Sequence, residues 1–351
     1  MLYNNNKYLN EVNTIKKLLR ILRGFLILIV IQICLLMILD IPMVMYGPFK
    51  NLRAIYVTTA MTTFSHQYLA KIFLSDNSIK IIMDNNTADY KGKTTDITAI
   101  TTASNSSEIP TFAPIVKDTI KFEDISNNRF KGYVLMVSKP KRVTVGSTDK
   151  LNKIGMKLDG IIGRYNAIGG INAGGFADPG GMGNGGIPVG VLMENGQVLA
   201  GKENEKYDVI GFNQDAVLVL GNFTLQEMAD RKITNAVTFD PFLIVNGETT
   251  IKEGSYVGGL QPRTVIGQKQ DGTVIFLVID GRQVGSLGAT LKECQDIMIT
   301  YGAYNAANLD GGASTEMIYD NKIINKPCST AGPRYIPSAF IISRSGDISE
   351  N

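Results

Sequence analysis

Asn308-Leu309-Asp310-Gly311-Gly312-Ala313-Ser314 and, about one strand and one helix upstream, Val278-Ile279-Asp280-Gly281-Arg282 follow one pattern. Each ends an apolar, strand-like run on a carboxylate. Each then continues at once into glycine, so the backbone can turn sharply or approach a ligand closely. Strand ends of this kind are where folds build sites, and two such aspartates point to a catalytic or metal-binding cleft. Taken singly, either is also an ordinary Asp-Gly turn of a protein that mixes helices and strands. The surrounding sequence decides between these readings.

Working outward, residues 263–267 and 273–279 read as a hairpin through Asp271-Gly272. Residues 290–301 are the clearest helix, with Leu291, Cys294, Ile297 and Met298 along one face, and 305–309 form the next strand. Short strands at 317–319, 322–324 and 338–342 follow. Upstream, strands are expected at 133–137 and 142–145, a helix over 149–165, and a strand at 168–172 that runs into Ala173-Gly174-Gly175-Phe176. Glu194-Asn195-Gly196 joins 187–193 to 197–200 in a hairpin, and further strands fall at 209–212, 216–220, 236–239 and 242–245, the last ending at Asn246-Gly247. Many strands with few helices predict an α+β domain built on a large mixed β-sheet, spanning 121–351.

The N-terminal part is organised differently. Residues 24–39 carry no charge, and Gln32 is their only strongly polar residue. With Ile21 and Leu22 included and Arg23 snorkelling, the run approaches the ~20 residues a bilayer requires. No small-x-small cleavage pattern follows it, which predicts an uncleaved signal anchor over 24–46. The preceding tail, 1–23, has a local charge of +4 against +3 for the whole chain. The tail is therefore expected in the cytoplasm and everything after Tyr46 outside. The remainder is close to neutral, so the sequence carries no nucleic-acid footprint. Residues 47–83 read as one or two helices beside the membrane. Residues 84–120, rich in Thr, Ser, Asn and Asp, read as a polar linker. Asn85-Asn86-Thr87 and Asn105-Ser106-Ser107 fit the glycosylation acceptor pattern.

Composition narrows the chemistry. Cys34 lies in the span. Cys294 and Cys328 could pair in an oxidising compartment, although Cys294 at a helix-like position is more simply a buried thiol. The single histidine, His66, falls in the 47–83 stretch, which rules out a histidine-dependent triad within the C-terminal domain. Gly180-Gly181-Met182-Gly183-Asn184-Gly185-Gly186 lacks the feeding strand and following helix of a dinucleotide fingerprint, and reads as a glycine-rich loop beside a site. Arg263, Arg282 and Arg334 sit at loop–strand junctions, where a planar guanidinium suits a phosphate or carboxylate. Trp is absent, so a sugar platform would have to come from residues such as Tyr165, Phe176 or Tyr301.

Together the ordered motifs resemble the phosphodiester glycosidase family. They are Ile171-Asn172-Ala173-Gly174-Gly175-Phe176, Pro262-Arg263-Thr264-Val265-Ile266-Gly267, Asp280-Gly281-Arg282 with Ser286-Leu287-Gly288, Asn308-Leu309-Asp310-Gly311-Gly312-Ala313-Ser314, and Asn325 with Gly332-Pro333-Arg334. The resemblance covers roughly 133–343. Ala313 stands where a third glycine is usual, and no role is carried over to Glu316. The resemblance implies hydrolysis of a sugar C1–O–phosphate bond, and bacterial members are often described as exopolysaccharide-related. A phosphomonoester leaves far more readily than a sugar hydroxyl, so one carboxylate acting as base or nucleophile could suffice. On this reading Asp310 is the main catalytic carboxylate and Asp280 the second. Arg263 clamps phosphate with help from Arg282 or Arg334. Asn172 and Asn308 bond the sugar, Ser314 contacts phosphate, and Thr264, Gly311 and Gly312 complete the substrate-binding set. Asp280 and Asp310 are also hard oxygen ligands suited to Ca²⁺ or Mg²⁺, although no EF-hand or other defined metal motif is present. The alternative is a non-catalytic protein that holds an anionic glycan during polymer assembly.

Overall fold

The computed structural model describes residues 2–63, 65–102, 118–179 and 183–344. The second acceptor pattern at 105–107, Gly180-Gly181-Met182 and the 345–351 tail lie outside the described residues. The chain divides into two compact units, Met1–Ala54 and Ile55–Asn351.

The first unit is helical. A helix over Leu2–Leu35 passes through a π-helical stretch, Leu36–Asp40, into the helix Ile41–Tyr46. The π stretch comes immediately before Pro42, which lacks an N–H and whose ring crowds the preceding turn. Within this unit Asn13–Tyr46 is long and apolar enough to cross a membrane, with a mean hydropathy of 2.8 over its most apolar window.

In the second unit the strands divide among three sheets, and every pairing is antiparallel. The seven-stranded sheet places Val274–Ile279 between Gly132–Val137 and Arg263–Gln268, with Asn305–Asn308 on the far side of Arg263–Gln268. Val274–Ile279 is buried on both faces. Val274, Phe276 and Val278 join a cluster with Leu135, Phe242 and Phe340, while Ile275, Leu277 and Ile279 pack with Cys294 and Met298 of the helix Leu291–Thr300. Double burial explains the uninterrupted apolar run in sequence. At roughly 1.5–3 kcal/mol per fully buried large apolar side chain, this strand is a main source of stability. Thr290 and Glu293 close a capping box that fixes where the helix starts.

The five-stranded sheet containing Gly169–Asn172, Met317–Tyr319 and Ser338–Ile342 carries the helix Leu158–Arg164 on its outer face. The third sheet, containing Tyr207–Asn213 and Ile233–Thr238, supplies Ile210, Phe212 and Val237 to the shared core.

Three expectations are corrected. The helix expected over 149–165 is confined to Leu158–Arg164. Gly155 threads between two backbone segments, where a Cβ would lie 2.6 Å from the Gly185 carbonyl oxygen and 2.7 Å from that of Ile336. Met156 then bridges Ile336, and no helix can form through that slot. A short helix at Leu225–Asp230, capped by Thr224 and Glu227, was absent from the expected set.

The third correction concerns 84–120. The described part up to residue 102 is not a linker but a strap on the domain. Asp89 N–H donates to Thr250 (2.7 Å), Thr95 exchanges two bonds with Leu220 (both 2.9 Å), and Thr101 N–H donates to Gln270 (2.8 Å). Tyr90 is buried edge-on against Phe242, with ring centroids 5.1 Å apart. The polar residues that look like linker composition satisfy sheet-edge backbone groups. The stretch before the strap is likewise part of this unit from Ile55 onward.

Candidate active site

Asp310 sits where two sheets meet. Its strand, Asn305–Asn308, pairs with Arg263–Gln268, and Leu309 N–H extends that pairing to the Thr264 carbonyl (2.9 Å). One residue later Asp310 N–H donates to Ala173 (3.0 Å), just past the Gly169–Asn172 strand of the second sheet. Asn172 Nδ2 donates to the Asp310 carbonyl (2.6 Å), while its Oδ1 accepts from Thr264 Oγ1 (2.8 Å) and Glu316 N–H (3.1 Å). Gly312 N–H returns to the Pro262 carbonyl (3.0 Å), and Gly312 has φ +60°. A side chain there would be strained, and it would point at the Arg282 guanidinium, 3.4 Å from the Cβ position.

The loop borders a cavity of about 610 Å³. Asp310, Gly311, Gly312, Ser314, Asn308, Arg263, Arg282 and Arg334 all line it. Burial pushes the Asp310 carboxyl up to about 7. The Ser314 hydroxyl and the Arg334 charge act against that rise, and Asp178 adds to it.

The arginines differ in what holds them. Arg334 is paired with Asp178 (2.9 Å) and lies over the Phe176 ring (5.3 Å). Arg263 is buried and donates only to carbonyls: Nε to Ala289 (2.9 Å), and Nη2 to Gly258 (2.6 Å) and Gly259 (2.8 Å). Arg282 Nε donates to Gln261 Oε1 (2.6 Å). Among the described residues neither Arg263 nor Arg282 has a carboxylate in salt-bridge range. Burial lowers Arg263 to about 10, with Arg282 adding to the drop, and burial lowers Arg282 as well. Two guanidiniums at one cavity, Arg263 buried and Arg282 open to solvent, form a ready receptor for an anion.

At another part of the cavity the polarity is reversed. Asp208 and Asp240 line it, with the Tyr90 hydroxyl 3.2 Å and 3.1 Å from their carboxylates, and Lys91 pairs with Asp208. Asn308 Nδ2 donates to the Asp240 carbonyl (2.7 Å), but its buried Oδ1 has no partner among the described residues. These groups accept hydrogen bonds, and a ligand there must donate them.

Not every expected residue reaches the cavity. Asp280 does not line it. Its buried carboxylate accepts from Asn325 Nδ2 (2.8 Å) and from Lys326 N–H (3.1 and 3.0 Å), so it brackets the 325–326 loop. Burial raises its pKa, opposed by those donors. Asp280 and Asp310 therefore do not offer a shared pair of metal ligands. Among the described residues no group of three His, Cys, Asp or Glu side chains is gathered for one. Asn172 and Thr264 lie beneath the Asp310 loop with their bonds satisfied, positioning it rather than facing a ligand. Of the three aromatic candidates only Phe176 lines the cavity; the Tyr165 hydroxyl is bonded to Glu194 and that of Tyr301 to Glu123. Cys294 and Cys328 are free thiols, and burial pushes Cys294 up to about 12. Gly183, from the glycine-rich run, is tied to Asp178 at the cavity edge (2.5 Å).

Several lining residues were not anticipated. They are Asp178, Asp208, Asp240, Gln261 and, from the N-terminal stretch, Thr62, Thr63, Ser65 and His66. The Phe239-Asp240 pair, a carboxylate ending an apolar strand, carries half of the Asp310 signal, with Pro241 in place of the following glycine.

The fold is that of a glycosidase-type hydrolase domain. The chain belongs to the phosphodiester glycosidase family, whose profile matches residues 165–343, half of the chain. The fold is similar to that of the catalytic domain of zebrafish N-acetylglucosamine-1-phosphodiester alpha-N-acetylglucosaminidase auto-inhibited by its pro-peptide. That likeness has a TM-score of 0.54 at 18% identity and covers 67% of this chain and 85% of that one. A curated relative, the SPbeta prophage-derived uncharacterized protein YomE of Bacillus subtilis (strain 168), is 26% identical over 143 residues. The match takes in 37% of this chain but spans only 22% of that protein's length.

Proposed function

We propose that the protein hydrolyses the C1–O–phosphate bond of a sugar-1-phosphodiester within a cell-surface glycan or glycopolymer. The observation that carries this reading is a half-buried Asp310 in the same cavity as a buried Arg263 and a solvent-reaching Arg282, neither of which has a carboxylate partner among the described residues. Arg263 and Arg282 receive the phosphodiester. Asp208, Asp240 and the unpartnered Asn308 Oδ1 accept from sugar hydroxyls, and Phe176 offers an apolar face. Asp310 is the group that meets C1, directly as nucleophile or through water as base. The phosphate departs as a stable monoester, so its protonation by a second carboxylate is unnecessary. Arginine neutralisation of the departing charge and stabilisation of the oxocarbenium-like sugar supply the remainder. Asn172 and Thr264 act by fixing the loop that bears Asp310.

The helix Asn13–Tyr46 supports a membrane anchor with the basic tail in the cytoplasm and the hydrolase outside, although a signal sequence would have the same character. Protease treatment of intact cells separates the two: an anchor leaves a protected N-terminal fragment in the membrane.

The test of activity uses the full chain in detergent with a panel of sugar-1-phosphodiesters in ¹⁸O-labelled water. Release of phosphate monoester and a free sugar carrying the label supports C1–O cleavage. Label in the phosphate would mean P–O cleavage and overturn the assignment of Asp310. Binding without any product would favour the glycan-holding alternative.

A further inference from the structure

We propose that Gln261 couples the 59–62 segment to Arg282, so that chain lying outside the family-matched region is part of the phosphate subsite. This rests on the reading of Arg282 as a phosphate ligand.

Gln261 is 3% exposed and its side-chain amide is fully engaged. Oε1 accepts from Arg282 Nε (2.6 Å), while Nε2 donates to the Thr59 carbonyl (3.0 Å) and to Thr62 Oγ1 (3.1 Å). Arg282 leaves the strand end in a left-handed conformation, φ +57°; no carboxylate among the described residues orients its guanidinium, whose other side-chain partner is the Cys328 thiol. The same segment braces the second arginine. Thr59 Oγ1 accepts from Leu260 N–H (3.0 Å), and Thr62 Oγ1 lies 3.0 Å from the Gly258 carbonyl. Gly258 and Gly259 in turn hold Arg263. The fit is close: a Cβ on Gly259 would lie 2.3 Å from Thr59 N.

The backbone of Gln261 is fixed independently. It exchanges hydrogen bonds with Ala289 in both directions (3.2 and 3.0 Å). Replacing the side chain therefore removes the link while leaving the loop in place. Gln261 does not touch the sugar end of the cavity, so it is a positioning residue. Its loss should weaken phosphate binding in protein that still folds, beyond any fall in thermal midpoint from the unpaired groups it leaves.

The experiment measures inorganic phosphate binding to the full-length protein in detergent by calorimetry. Gln261→Met should weaken phosphate about tenfold, the effect of freeing one charged donor from its geometry. Thr62→Val should weaken it about threefold by removing one of the two partners of Nε2. Arg282→Gln should abolish the dependence, so that Gln261→Met added to Arg282→Gln costs nothing further, the signature of two residues acting as one unit. Thermal midpoints confirm folding, and if Gln261→Met does not fold, Thr62→Val decides. Unchanged affinity in the folded single variants, additive losses in the double variant, or no phosphate binding by the unaltered protein would each overturn the proposal. A protein that shows the coupling but releases no sugar from any sugar-1-phosphodiester would keep this inference and lose the glycosidase reading.

Discussion

Asp280 and Asp310 end two strands that flank the same neighbour, Arg263–Gln268, and run in the same direction, so both emerge at one end of the sheet. Their local sequences are nearly interchangeable. Their fates differ because of what each meets next. After Asp280 the chain turns through Gly281 into a left-handed Arg282, sending the guanidinium to the cavity and leaving the carboxylate to the Asn325 and Lys326 donors. After Asp310 the turn is pinned from below by Asn172 and Pro262, and the carboxyl itself faces the cavity with Ser314 beside it. In Asp280-Gly281-Arg282 the residue that lines the cavity is the arginine; in Asp310-Gly311-Gly312 the aspartate itself does. An Asp-Gly strand end marks a place where a site can be built, and tertiary partners choose which side chain serves it.

The sharpest way to break this comparison is to neutralise both carboxylates. Asp310→Asn keeps shape and loses the base, and kcat should fall about 10³-fold, within the usual range for removing such a group. Near-normal turnover would remove Asp310 from the mechanism. Asp280→Ala should do the opposite. It leaves the Asn325 amide without one of its acceptors and the Lys326 N–H without any, at a cost of about 2–3 kcal/mol, or several degrees in thermal midpoint for a domain of this size. Turnover per folded molecule should change far less than in Asp310→Asn. If Asp280→Ala instead lost turnover without losing stability, the two aspartates would be functional equals after all.

Much of the fold was legible because it rests on local rules. The double-faced burial of Val274–Ile279 wrote an unbroken apolar run, and Asn195-Gly196 and Asn246-Gly247 supplied the left-handed turns their hairpins need. The division into three sheets was not legible, since it depends on which distant strands pair, as Gly169–Asn172 does with Ser338–Ile342. The same limit applied to the site. Asp310, Arg263 and Arg282 were found from strand ends followed by glycine or preceded by proline. Gln261, Asp208 and His66 reach the cavity only through long-range packing, and the strap at 86–102 looked like a linker because its work is done by polar groups. Asp280 was misplaced for the converse reason: a correct local signature with its partners 45 and 46 residues away.

The smallest expected effect lies in stability: replacing Asp280 should cost it, whereas neutralising Asp310 should add to it at high pH. Burial raises the Asp310 carboxyl to about 7, far above its ordinary range near 4. An acid whose pKa is raised on folding holds its proton more tightly in the native state, so the native protein loses stability as pH climbs from about 4 to about 7 and the group is forced to ionise. Asn at 310 cannot ionise and escapes that loss. Asp310→Asn should therefore match the unaltered protein in thermal midpoint near pH 4 and exceed it at pH 8, with the difference opening through the intervening window. Over the same window kcat/KM of the unaltered protein should rise to a plateau, because a nucleophile or base must be ionised to act. Midpoints measured across pH for both proteins, set beside the pH–rate profile, test this directly. Coincident stability curves would mean that Asp310 is not held protonated by burial. A rate that falls with rising pH would make Asp310 an acid, and its contrast with Asp280 would then be one of protonation state as well as of position.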